Sequence, residues 1–111
     1  MQVEVKGKRL EERTYLKVGV DLSNVDVRTP AQFGVTDNVS RHGARVLTSA
    51  ALKLDERLNL RSMRGSYRSR ARVVYCVPEG ELYAVGLQLY ASAGDWVSPT
   101  RSRAYFGSSG V

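Results

Sequence analysis

Apolar and polar residues alternate with a period of two along much of the chain, and Gly, Pro, Asn and Asp separate the alternating segments. This period places every second side chain on one face of a β-strand. It predicts six strands, which cover residues 18–27, 33–37, 43–48, 58–63, 71–77 and 82–90. No long segment has the period of an amphipathic helix. The pattern therefore predicts an all-β fold, either a barrel or a sandwich.

Three local features refine this prediction. Val25 and Val27 continue the first strand in a shifted phase, which predicts a β-bulge near Ser23-Asn24. Residues 49–56 fit either one helical turn or a loop. Trp96 is expected to pack, because an indole buries a large apolar area, whereas residues 98–111 are predicted to form a loose tail.

Length and composition indicate one domain over residues 1–111. Hydrophobic residues make up 42% and charged residues 25%, which is the balance of a globular protein. The single cysteine excludes an intramolecular disulfide and a cysteine-rich zinc site. No apolar leader or membrane-spanning run is evident, so a cytoplasmic location is expected. Because no catalytic or metal-ligating constellation is present, neither enzyme activity nor a resident cofactor or metal is expected.

A polar turn connects the second and third strands. It contains Asn38, Ser40 and Gly43 with the spacing N-x-S-x-x-G. Asn and Ser side chains bond nearby backbone groups, and Gly tolerates a positive φ. Taken alone, this spacing fits an ordinary Asx-type turn that needs Gly for its φ.

The same spacing resembles the D/N-x-S-x-x-G signature of PilZ domains, bacterial receptors for the second messenger cyclic di-GMP. The strand of residues 72–75 fits that family as well, and the hairpin of residues 78–89 resembles its last pair of strands. The resemblance covers about residues 9–96 and implies a six-stranded antiparallel β-barrel. It also implies that Asn38 and Ser40 hydrogen-bond a guanine or its phosphate and that Gly43 lets the ligand approach the backbone.

The other ligand motif of the family is R-x-x-x-R, on the loop before the first strand. Arg13 and Lys17 best fit its distance from the strand, with lysine in place of the second arginine; Arg9 and Arg13 match it fully but lie farther away. Arginine forms paired bonds to guanine O6 and N7 or to phosphate, which lysine cannot do. These residues belong to a predicted flexible arm that begins with the basic residues 1–12, and the resemblance implies that the ligand orders this arm on the barrel.

The charge of the chain adds other interpretations. The formal net charge is +6, which favours an anionic partner but also keeps a small domain soluble. The most basic stretch has six arginines and no acidic residue: Arg57, Arg61, Arg64, Arg68, Arg70 and Arg72. With Tyr67 among them, these arginines fit a single-stranded nucleic-acid site, a surface for an acidic protein, or a solvated strand face.

The resemblance and the residues together predict a non-catalytic receptor for cyclic di-GMP, monomeric or weakly dimeric, that acts on a protein partner. One alternative is a PilZ-like domain that no longer binds nucleotide and works by protein contacts. A basic nucleic-acid-binding barrel is the third interpretation, since nucleic acid is the least expected of these partners. Membrane insertion is not expected.

Overall fold

The barrel is formed by six antiparallel strands. The computed structural model describes residues 13–96. Within them lie β1 (Gly19–Asn24), β2 (Gln32–Val39), β3 (Gly43–Thr48), β4 (Arg57–Ser62), β5 (Arg68–Glu79) and β6 (Leu82–Ala93). The strands follow the order β1-β2-β3-β6-β5-β4, and pairing between β1 and β4 closes the barrel. The predicted all-β, six-stranded antiparallel barrel is confirmed.

The period of two decides which side chains fill the barrel. In β4, Leu58 and Leu60 are buried, whereas Arg57, Asn59 and Arg61 are exposed. The largest fully buried apolar side chains are Leu22, Leu58, Leu60, Leu89, Val20, Val46, Val73 and Val85. Burying such a side chain stabilises the fold by about 1.5–3 kcal/mol relative to leaving it in water. The outward positions of the same strands are therefore available for function.

The predicted bulge near Ser23-Asn24 is wrong, because β1 ends at Asn24. The side-chain oxygen of Asn24 accepts the backbone N–H groups of Asp26 and Val27, each over 2.7 Å. This Asx turn ends the strand before Val27, which is 57% exposed. The segment of residues 49–56 is a loop without a helical turn.

The chain after β6 returns to the turn between β4 and β5. The ring of Trp96 stacks on that of Tyr67, with centroids 4.0 Å apart and planes inclined by 15°. The Tyr67 hydroxyl donates to Oγ of Ser92 over 2.9 Å. The predicted packing of Trp96 is confirmed, whereas the predicted basic arm (1–12) and loose tail (98–111) lie outside the described residues. Among residues 13–96, no helix is long and apolar enough to cross a membrane.

Candidate ligand-binding site

A β-bulge shapes the end of β2. Thr36 pairs with Val46 and Asn38 with Arg45, so that Asp37 is an extra residue on β2. Such a residue shifts the alternation of the strand by one position and bends it. Thr36 and Val39 are accordingly both buried, three positions apart. Asn38 is left half-buried at the strand end, beside the polar turn.

The turn between β2 and β3 is closed by Ser40 and Gly43. The backbone N–H of Ser40 donates to the carbonyl of Gly43 over 2.8 Å, and its hydroxyl lies 3.4 Å from the same oxygen. Gly43 does not have a positive φ, so the interpretation that the turn needs glycine for its φ is wrong. A β-carbon at this position would lie 3.4 Å from the carbonyl oxygen of Leu87, an ordinary contact. Neither backbone conformation nor crowding within the described residues requires glycine here.

The segment before β1 is docked beside this turn. Thr14 and Val39 exchange backbone hydrogen bonds of 2.8 and 2.9 Å. Next to this bridge, Nη1 of Arg13 donates to Oδ1 of Asn38 over 2.9 Å. Two residues predicted from separate motifs, 25 positions apart, are thus in direct contact.

Thr36 holds the rest of the segment. Its side chain is fully buried; the hydroxyl donates to the carbonyl of Leu16 and accepts the N–H of Val18 over 2.8 Å. The backbone of Thr36 adds a bond of 2.9 Å to the carbonyl of Val18. Lys17 lies between these two anchored residues and is exposed. Its backbone is therefore fixed beside β2, and its amine reaches into solvent.

A small pocket of about 120 Å³ adjoins Arg13 and Gly43. Its lining also includes Arg45, Tyr75 and Gly86. Tyr75 pairs with Gly86 across β5 and β6, and its ring covers Gly86 so closely that a β-carbon there would overlap with the ring. Lys17 does not line this pocket.

Arg13 and Arg45 differ in their electrostatic surroundings. Nη2 of Arg45 donates to Oε1 of Glu79 over 2.8 Å, and Nη1 is paired with Asp37. Hydrogen bonding to Glu79, and then to Asp37, raises the pKa of Arg45. In residues 13–96 no carboxylate pairs with Arg13, whose recorded partner is the neutral amide of Asn38. Unlike Arg45, Arg13 therefore has no carboxylate partner within residues 13–96, and its charge is available to an anion.

The structure thus collects most of the predicted site residues at one end of the barrel. Arg13 contacts Asn38, Ser40 is bonded to Gly43, and Arg13 and Gly43 line the same pocket. Lys17 lies on the same docked segment, and Arg9 lies outside the described residues. The sequence prediction missed Tyr75 as a residue that lines the pocket. Its partner on β6 could have been counted from the turn of the hairpin. Glu79 pairs with Leu82, and regular pairing from there places Tyr75 opposite Gly86.

The chain is similar to a known domain family. A sequence model of the PilZ domain matches residues 7–95, which include β1 to β6 and the segment that carries Arg13 and Lys17. A comparison with curated proteins finds no match.

Proposed function

Because this chain belongs to the PilZ domain family, whose members are generally receptors for cyclic di-GMP, we propose that it binds cyclic di-GMP as a non-catalytic cytoplasmic receptor. The contact between Arg13 and Asn38 carries this proposal, since it joins the two ligand motifs of the family in one place. The pocket beside them is too small for a dinucleotide, so the ligand lies across the surface of the barrel.

The donors of this surface match the acceptors of the ligand. The guanidinium of Arg13 binds two phosphate oxygens, or O6 and N7 of a guanine, through paired N–H groups. Its bond to Asn38 uses one N–H group of Arg13 and the carbonyl oxygen of Asn38. The amide N–H groups of Asn38 and the other N–H groups of Arg13 remain for the ligand.

The segment before β1 lies against the barrel. Residues 13–18 are held there by Val39 and Thr36, and the family resemblance implies that the ligand orders the arm in such a docked position. The regulatory step we propose is therefore that the ligand stabilises the docked arm. A protein partner then recognises the surface that ligand and protein form together.

Ser40, Gly43 and Lys17 complete the site. The hydroxyl of Ser40 lies at the turn, and the absent side chain of Gly43 leaves the backbone open to a phosphate or a base. The amine of Lys17 adds charge but not paired coplanar bonds. The exposed ring of Tyr75, beside Arg13, offers a face on which a guanine stacks.

Isothermal titration calorimetry with cyclic di-GMP tests this function. We expect a dissociation constant in the micromolar range or weaker, about −8 kcal/mol or less favourable, because Lys17 replaces an arginine. Cyclic di-AMP is the matched control, since it has the same phosphates without the O6 acceptor of guanine. Absence of heat with cyclic di-GMP at several hundred micromolar would leave the alternative, a PilZ domain that works through protein contacts alone.

A further inference from the structure

The outer faces of β4 and β5 place arginines directly opposite one another. The register pairs Arg57 with Arg72 and Arg61 with Arg68, while Arg70 faces Asn59 between them. Like charges directly opposite on neighbouring strands destabilise a sheet. Each pair therefore needs negative charge from elsewhere.

Only one of the two arginine pairs has carboxylate partners within the described residues. Arg57 forms an ion pair with Asp26 at 2.5 Å, and Arg72 forms one with Asp55 at 2.6 Å. Within the described residues, neither Arg61 nor Arg68 pairs with a carboxylate. Asp21 lies opposite Arg61 on β1 but is not within ion-pairing distance. Carboxylates therefore balance the charges of the first pair, Arg57 and Arg72. No carboxylate of the described residues balances the charges of the second pair, Arg61 and Arg68.

A groove lies beside the charged pair. Its volume is about 590 Å³. It is lined by Arg61, Arg68, Arg70 and Tyr90, together with Asn59, Leu60, Ser69 and Ala91. Tyr90 is 39% exposed and pairs with Arg70 across β5 and β6. Beside it, Ala91 has a φ of +53°, where the register between the two strands shifts. Arg70 has no ion pair in the described residues. The pKa of Asp26 is lowered mainly by its hydrogen bond to Arg57, and the charge of Arg70 adds to this effect.

This groove is separate from the cyclic di-GMP site. Gln88 and Arg72 lie between the two on β6 and β5, and Nη2 of Arg72 donates to Oε1 of Gln88 over 2.8 Å. On this basis we propose that the surface of Arg61, Arg68, Arg70 and Tyr90 is a second binding site, which takes single-stranded nucleic acid. It is independent of the proposed function.

The residue types favour nucleic acid over an acidic peptide. The carboxylates of an acidic peptide would form ion pairs with the guanidinium groups alone. This surface also has a groove and an exposed aromatic ring, which such a peptide would not use. Single-stranded nucleic acid uses both features, since its phosphates follow a positive groove and its bases stack on aromatic rings and guanidinium planes. The proposal therefore assigns the phosphates to the three arginines and a base to Tyr90.

Fluorescence anisotropy with a labelled oligonucleotide of about 12 nucleotides tests the proposal. Three phosphate contacts on a single strand predict that affinity falls about 20-fold between about 50 and about 200 mM salt. The double variant Arg61→Ala/Arg68→Ala should bind more weakly and with a shallower salt dependence. Tyr90→Ala should lose about five-fold or more in affinity while its salt dependence stays unchanged.

Matched controls distinguish binding at this site from a general effect of the net charge. The double variant Arg28→Ala/Lys53→Ala removes the same charge from exposed loop positions and should bind like the wild type; an equal loss in both double variants overturns the proposal. The melting temperature of Arg61→Ala/Arg68→Ala should not fall, because the like-charge pair is removed.

A polyglutamate peptide that binds as tightly as the oligonucleotide, or an abasic oligonucleotide that binds equally well, overturns the assignment to nucleic acid. Absence of oligonucleotide binding at low salt does the same.

Discussion

Thr36 and Val18 are joined by two hydrogen bonds. The N–H of Thr36 donates to the carbonyl of Val18 over 2.9 Å, and the N–H of Val18 donates to the hydroxyl of Thr36 over 2.8 Å. The side chain of Thr36 therefore takes the place of a backbone partner at the point where the arm segment enters β1. A buried β2 residue thus fixes the exposed segment that carries Arg13 and Lys17.

Thr36→Val should weaken both stability and ligand binding. Valine keeps the shape but leaves the N–H of Val18 and the carbonyl of Leu16 without the hydroxyl, at a cost of about 1–3 kcal/mol. Urea unfolding and calorimetry with cyclic di-GMP measure the two effects. Thr48→Val is the control, because the equally buried Thr48 bonds the carbonyl of Ala50 away from the arm; it should lose stability alone. Unchanged ligand affinity in Thr36→Val would contradict the positioning role.

Arg13→Ala should weaken cyclic di-GMP binding by about 1–3 kcal/mol, since a charge-assisted fork is lost. Thermal stability should hardly change, because the bond to Asn38 is exposed. Arg28→Ala removes the same charge from an exposed loop position outside both motifs and should bind normally. A comparable loss in Arg9→Ala would favour the upstream motif, and wild-type binding by Arg13→Ala would show that the motif is misplaced.

Lys17→Arg should tighten cyclic di-GMP binding by roughly 1 kcal/mol or more, because arginine restores paired bonds to guanine or phosphate. Position 17 is exposed, so stability should change by less than about 0.5 kcal/mol. The dissociation constants of wild type and variant are compared in one buffer, with Lys53→Arg as the control exchange elsewhere. Equal constants would mean that position 17 makes no paired contact with the ligand.

Gly86→Ala should cost about 1–3 kcal/mol of stability, because the added methyl group overlaps with the ring of Tyr75. The same substitution in a Tyr75→Ala background should cost much less, since the ring is gone. Urea unfolding of the four proteins in this cycle measures the coupling between the two positions. Independent, additive effects would show that the ring does not rest on Gly86 in solution.

The pKa of Asp26 tests whether this carboxylate forms an ion pair with Arg57. Hydrogen bonding to Arg57 lowers the pKa of Asp26. The stability from this ion pair is therefore present above the ordinary aspartate pKa of about 3.9 and is lost as pH falls through the lower folded value. Arg57→Gln should raise the pKa of Asp26 towards its ordinary value in an NMR titration, whereas Arg28→Gln should not. An unchanged pKa in Arg57→Gln would argue against the pair.

Most of the fold follows from local pattern. The alternation in β4 and the turn residues around Gly80 determine the strands and the last hairpin without reference to distant contacts. The first strand was predicted too long because Val25 and Val27 keep an apolar alternation. The side chain of Asn24 ends β1 by bonding the following backbone, and a period-two pattern does not report that competition.

The site was predictable as motifs but not as contacts. The resemblance to the two family motifs pointed to Asn38, Ser40 and Gly43, and to Arg13 on the arm. The bond between Arg13 and Asn38 depends on the bulge at Asp37 and on the bridge between Thr14 and Val39, which join segments distant in sequence. Likewise, the neutralisation of Arg45 by Glu79 arises only when β3 and the β5–β6 hairpin meet.

The stack of Trp96 on Tyr67 gives the chain a built-in optical signal. Trp96 is the single tryptophan of the sequence, and its ring is fixed against the aromatic core residue at the β4–β5 turn. Its emission therefore follows the packing of the segment after β6 on the barrel, and unfolding is visible without a label. Trp96 does not line the pocket beside Arg13, so a ligand that binds there should shift the unfolding midpoint through linkage without quenching the native fluorescence.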